Sequence, residues 1–257
     1  MSFGNEQRPK YVFAGPTLFG TTIANSLAAE GFEIFPPAVR GDIDRLADRT
    51  PAIIVLIDGR FHQALAVGHA EIRRALAEGC DVWGLSSMGA IRAHEMTALG
   101  MRGYGRIFNY FRAVDDFQDD EVALLHSPEP PFNPITEPLV HYRHWLAHLE
   151  SSGAISRDVA LSVLIELKGR WFGDRTTAAA LSLVRRLGGH AAGIAARTSA
   201  LEFGPFRVKT QDVHDFVTAR AWASPFATQT SPAAIEGPPL FNVPSSPGPE
   251  SVVVRQM

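Results

Sequence analysis

Residues 52–57 read Ala-Ile-Ile-Val-Leu-Ile, an unbroken apolar run rich in β-branched side chains. A run of this length suits a strand buried on both faces, which requires helices above and below the sheet. The flanking sequence supplies them. Residues 11–14 (YVFA) form a short apolar strand broken by Gly15-Pro16-Thr17, and residues 18–30 read as a helix stopped by Gly31. Residues 32–35 form a second strand ended by Pro36-Pro37, and residues 42–49 a short helix. Residues 67–78 are helical and closed by Gly79. A fourth strand ends at Leu85, and a helix follows over 90–99. Strand and helix therefore alternate with short connections, the pattern of an α/β fold with a small, mainly parallel sheet of four to five strands. In such sheets ligands sit beyond the carboxyl ends of the strands. Gly15-Pro16-Thr17, Asp58-Gly59 and Ser86-Ser87 all fall there.

Residues 85–89 spell Leu-Ser-Ser-Met-Gly, the G-x-S-x-G nucleophile elbow with Leu85 in place of the first glycine. On that alignment Ser87 is the nucleophile, Ser86 the second candidate, and the Met88 N–H an oxyanion donor. The same residues also suit an ordinary helix N-cap, and spacing does not separate the two readings.

Beyond residue 99 the pattern loosens. Residues 100–105 read as a flexible turn, 106–114 as an amphipathic helix, and 122–126 as a strand. Asp115, Asp116, Asp119, Asp120 and Glu121 form an acidic cluster. It could converge on magnesium, remain solvated, or pair with Arg92, Arg102 or Arg106. The chain divides into an α/β core over 1–127, a proline-rich connection over 128–138, a helical part over 139–223 and an extended or disordered Pro/Ser-rich tail over 224–257. His141, His144 and His148 share one helix face but lack the glutamate of a zinc-binding H-E-x-x-H. Ser156 N-caps an apolar helix that ends at Lys168, and a further helix from 175 stops at Gly188-Gly189. Residues 208–222 read as the last helix.

Of the 24 basic residues only Lys10, Lys168 and Lys209 are lysines; the rest are arginines. Lysine can lose its proton and serve as a general base beside a serine, whereas arginine cannot. Lys168, ending a buried helix, is the base candidate from the sequence; the alternative is a surface lysine whose stem lies along apolar side chains while its amine stays in water. A net charge of −3 gives no reason to expect a nucleic-acid partner. The single cysteine, Cys80, excludes an internal disulfide or a cysteine-based zinc site. No apolar run is long enough to span a membrane, and residues 1–10 lack the apolar core of a signal peptide, so a cytoplasmic location is expected.

Several blocks together resemble the TfuA-like proteins: Gly15-Pro16-Thr17, Asp58-Gly59, His69 with Glu71, residues 84–95 (GLSSMGAIRAHE), 100–105 (GMRGYG), 119–123 (DDEVA), and Lys168 with Arg175-Thr176. The resemblance implies a partner of a YcaO enzyme in peptide backbone thioamidation. In this role the protein hydrolyses the thiocarboxylated C-terminus of a ThiS-like sulfur carrier, releases sulfide, and helps YcaO engage its peptide substrate. It implies a Ser–Lys site, which maps onto Ser87, with Ser86 as the alternative, and Lys168. Asp58, Glu71, Arg92, Glu95 and Arg175 lie in the same blocks and are the expected substrate-binding residues. Arg92 could neutralise a thiocarboxylate or instead pair with Glu95 or Glu71. No cofactor or metal is required. The rival expectation is a non-catalytic adaptor that docks YcaO and its peptide.

Overall fold

The apolar run at 52–57 is fully buried and lies at the centre of a parallel sheet. The structure, a computed structural model, describes residues 8–47, 51–60, 64–224 and 238–240. Strands β1 (Lys10–Phe13), β2 (Phe32–Phe35), β3 (Ile53–Leu56), β4 (Asp81–Leu85) and β5 (Arg102–Tyr104) are arranged in the order β2-β1-β3-β4-β5, every pair parallel. The intervening helices are α1 (Ile23–Ala29), α2 (Asp44–Ala47), α3 (His69–Ala77) and α4 (Met88–Met96). Helix α5 (Gly105–Ala113) follows β5 directly.

Side chains alternate between the two faces of a strand, and the core divides accordingly. Tyr11, Phe13, Ile54, Leu56 and Val82 pack with residues of α3, α4 and α5. Val12, Ile53, Val55, Trp83 and Leu85 pack on the opposite face with Ile23 and Leu27 of α1. That second face is completed from far along the chain, by Val213 and Phe216 of the last helix, α9 (Val208–Thr218), and by Trp222. A separate helical core is built from α6 (Leu139–Ser151), α7 (Arg157–Lys168) and α8 (Thr177–Ala200), around Tyr142, Trp145, Leu164 and Leu183.

Several expectations need correction. Residues 100–105 are not merely a turn: Arg102–Tyr104 form the edge strand β5, with Gly103 opposite Gly84. Residues 122–126 are not a strand. Only His126 makes an isolated bridge, to Pro134, because the carbonyls and amides there serve other partners: Val122 O accepts from Lys209, and Leu125 N donates to Thr136 Oγ1. The stop at Gly188-Gly189 is a break inside a longer element, since Gly189 (φ 86°) interrupts α8 and a second helical segment continues to Ala200. The acidic cluster pairs with neither Arg92, Arg102 nor Arg106. Glu121 forms a buried bidentate pair with Arg143 (2.6 and 2.9 Å), and Asp120 pairs with Arg175 (2.6 Å). Apart from Ser224 and residues 238–240, the 224–257 tail lies outside the described residues.

Among the described residues, no helix is long and apolar enough to cross a membrane.

Candidate functional site

Strand β1 turns away toward β2 while β3 leads on to β4, so the carboxyl ends of β1 and β3 flank the topological switch point, where parallel sheets hold ligands. Asp58 follows β3 there. Its buried carboxylate accepts from Gly15 N (2.9 Å), Thr17 N (3.0 Å) and Thr17 Oγ1 (2.7 Å), which ties the two strand ends together.

One strand over, β4 runs into α4 through a strained turn. Ser86 has φ 66°, and the Ser87 N–H donates to Leu85 O at 2.8 Å, closing a three-residue γ-turn. A non-glycine residue held there costs of order 1–3 kcal/mol and persists only where its surroundings impose it. The imposing contact is tight packing of α4 on the sheet. A Cβ on Gly89 would lie 1.7 Å from Leu56 O, and one on Gly84 2.0 Å from Gly89 O, so only glycines let the helix approach this closely.

The two serines have different fates. Ser86 is fully buried and donates to the main-chain carbonyl of Lys209 at 2.8 Å. Ser87 stands at the N-cap of α4 but makes no capping hydrogen bond, and its hydroxyl has no partner among the described residues. Ser87 thus takes the N-cap position that the sequence allows but not the capping hydrogen bond that would go with it. Instead Ser87 lines a cavity of about 150 Å³ with Pro16, Asp58, Gly59, Arg60, His126 and Lys209. Val122, Leu124, Leu125 and Phe172 give it apolar walls, and Trp171, 58% exposed, stands at its rim.

The lysine in this cavity is Lys209. It is 1% exposed, and its Nζ donates to Val122 O at 3.1 Å and lies 3.9 Å from Asp58 Oδ1. Burial pushes its pKa below the ordinary lysine value, against the opposing pull of the Asp58 and Glu137 charges. Its main chain is held from both sides. Ser86 takes its carbonyl, and its N–H points at His141 Nε2, 3.5 Å away. His141 in turn faces Glu137 through Nδ1 at 2.7 Å. Burial lowers the His141 pKa. The neutral ring with its proton on Nδ1 satisfies both neighbours. Arg207 completes the support with two bonds to Glu137 Oε1, of 2.6 and 3.0 Å.

Lys168 is not among the residues lining the cavity. It is half-buried at the C-terminal end of α7, where the helix dipole favours the protonated amine. Lys209, second residue of α9, stands at the end where the dipole disfavours a cation. Of the expected substrate-binding residues only Asp58 reaches the cavity. Glu71 is buried as the N3 residue of α3 and accepts from Gly68, Gly41 and Ile43 N–H groups, so it clips a helix start to a neighbouring turn. Arg92 donates to Val67 O (2.9 Å) and pairs with Glu95 (2.5 Å), which also binds His69 (2.8 Å). Arg175 is buried and donates to the carbonyls of Leu167, Asp120, Lys168 and Arg170 besides the Asp120 carboxylate, fastening the loop that carries Trp171 and Phe172. The three histidines diverge: His141 meets Glu137, His144 meets Tyr110 Oη (3.1 Å), and His148 packs on Phe206.

Sequence reasoning missed Lys209, Arg60, His126 and Trp171. Only Lys209 carried a signal, as one of three lysines and the one opening a helix.

No curated protein matches the chain. The family model described as TfuA-like protein matches residues 58–176, a stretch that contains Asp58, Ser87, Lys168 and the loops walling the cavity and stops short of Lys209. From Asp58 through the strained serine turn to the loop fastened by Arg175, the chain matches the TfuA-like family.

Proposed function

We propose that this protein partners a YcaO-type enzyme in peptide backbone thioamidation and hydrolyses a thiocarboxylated ThiS-like carrier to release sulfide, with Ser87 as nucleophile and Lys209 as general base. The observation that carries the reading is an uncapped serine hydroxyl sharing a cavity with a buried lysine whose pKa burial lowers. A neutral amine can take the hydroxyl proton, which a protonated one cannot. Ser87 Oγ then bonds to the thiocarboxylate carbon, and the C–S bond breaks. Sulfide leaves with the proton returned by Lys209, and water cleaves the serine ester to give the carrier carboxylate. The oxyanion donors in this scheme are the Met88 and Gly59 N–H groups, for which no acceptor lies among the described residues. Ser86 positions Lys209 rather than attacking, since its hydroxyl is held by the Lys209 carbonyl.

The adaptor reading treats the serines as helix caps, and the absent capping bond at Ser87 counts against it. The test is to incubate purified protein with a thiocarboxylated carrier and follow the carrier mass. Exchange of sulfur for oxygen with the wild type, and none with Ser87→Ala, supports the hydrolase. An unchanged carrier in both supports the adaptor.

A further inference from the structure

The sequence offers Arg92 as the cation for an anionic substrate, but its guanidinium is occupied by Val67 O and Glu95. It also lines a neighbouring pocket with Met88, Ile91 and Asp119, not the cavity of Ser87. The arginine that does line the Ser87 cavity is Arg60, two residues beyond Asp58. It is half-buried, its main-chain N–H is fixed to Ala38 O at 3.1 Å, and no hydrogen bond or ion pair reaches its guanidinium among the described residues. Arg60 also lines the neighbouring pocket with Arg92 and Asp119, so it stands between the two cavities, and a half-buried arginine with no counter-ion among the described residues can take an anion in a bidentate grip.

The cavity's own charges explain the need. Asp58 places a carboxylate at its base, and all of that carboxylate's close hydrogen bonds come from neutral Gly15 and Thr17 groups. An anionic acyl group entering beside it meets a like charge. Lys209 in its neutral, base-competent form offers no compensation. We infer that Arg60 is the specificity-determining residue of this site: it binds the anionic group of the acyl substrate and selects a terminal thiocarboxylate over a neutral ester or thioester of the same acyl chain. This rests on the hydrolase reading for the identity of the substrate, but not for the binding preference itself.

The test measures binding without turnover. In the full-length Ser87→Ala protein, calorimetry compares a peptide ending in a thiocarboxylate with the same peptide as its neutral methyl thioester. The expected result is a preference for the thiocarboxylate of about tenfold or more, abolished by adding Arg60→Gln and partly restored by Arg60→Lys. Equal affinity for the two peptides, or a preference that survives Arg60→Gln, overturns the assignment. A charge preference in a protein whose Ser87-containing form releases no sulfide would support Arg60 as an anion site while removing the hydrolase reading.

Discussion

The Ser86 hydroxyl donates to the main-chain carbonyl of Lys209 at 2.8 Å, joining residues 123 positions apart. The strained turn that frees Ser87 from capping its helix thus also fixes the start of α9, which carries the amine into the same cavity. Thr210 adds a parallel tie, donating through Oγ1 to Thr17 O at 2.8 Å. The loops after β1 and β4 therefore both hold α9, and the site depends on the last helix returning to the sheet.

Hydrolysis should have an acid limb set by Lys209. Burial lowers its pKa, and only the neutral amine is a base, so kcat/KM rises with pH through that lowered value and levels off above it. The Asp58 charge holds the lysine pKa up. Asp58→Asn should move the limb to lower pH in a pH–rate profile, at a stability cost of about 1–3 kcal/mol for the mismatched hydrogen bonds. A limb that stays in place in Asp58→Asn would show that another group titrates.

Gly89→Ala should destabilise the fold by about 3 kcal/mol or more, read from urea midpoints. The added methyl would meet the Leu56 carbonyl at 1.7 Å, and main chain cannot yield as a flexible side chain can. Gly100→Ala makes the control: it has open space but φ 100°, and should cost about 1 kcal/mol from backbone strain alone.

Glu121 and Arg143 should behave as a unit. Both are essentially fully buried, and Arg143 also donates to Leu240 O at 2.8 Å. Removing one partner leaves a buried charge, so Glu121→Leu or Arg143→Met should each cost about 3–5 kcal/mol. The double variant should cost less than either single change, as thermal denaturation would show. Because Glu121 begins the loop that supplies Val122, Leu124 and Leu125 to the cavity, the single variants should also lower kcat/KM.

Acid should weaken the helical part through His144. Burial holds its pKa down to about 4, against an ordinary value of 6.5. The unfolded chain therefore binds the proton first, and stability is lost as pH falls from about 6.5 to 4. His144→Gln should flatten the pH dependence of the unfolding free energy across that window.

Much of the α/β half could be read from sequence because its signals are local. The unbroken run at 52–57 demanded burial on both faces, and Gly31 and Gly79, each with positive φ, ended the helices they were expected to end. The nucleophile-elbow spacing correctly located the turn. What could not be read depends on long-range return of the chain. Lys168 and Lys209 both punctuate helices, but long-range packing, including that of Val213 and Phe216 on the sheet, brings α9 to the cavity. The 122–126 segment has strand composition, yet its backbone is spent on Lys209 and on Thr136. Glu71, Arg92 and Arg175 are engaged in architectural contacts: Glu71 clips a turn to a helix start, Arg92 holds Val67 O, and Arg175 fastens the loop that brings Trp171 and Phe172 to the cavity.

The central claim is that Lys209, not Lys168, is the partner of Ser87. The most direct measurement is the initial rate of sulfide release from a thiocarboxylated carrier by full-length Lys209→Met and Lys168→Met, each first shown to be folded by circular dichroism. Lys209→Met, which keeps the volume of the side chain and removes the amine, is expected to lose at least about a hundredfold in kcat, with Lys168→Met within about twofold of wild type. A fully active Lys209→Met together with an inactive Lys168→Met would contradict the account.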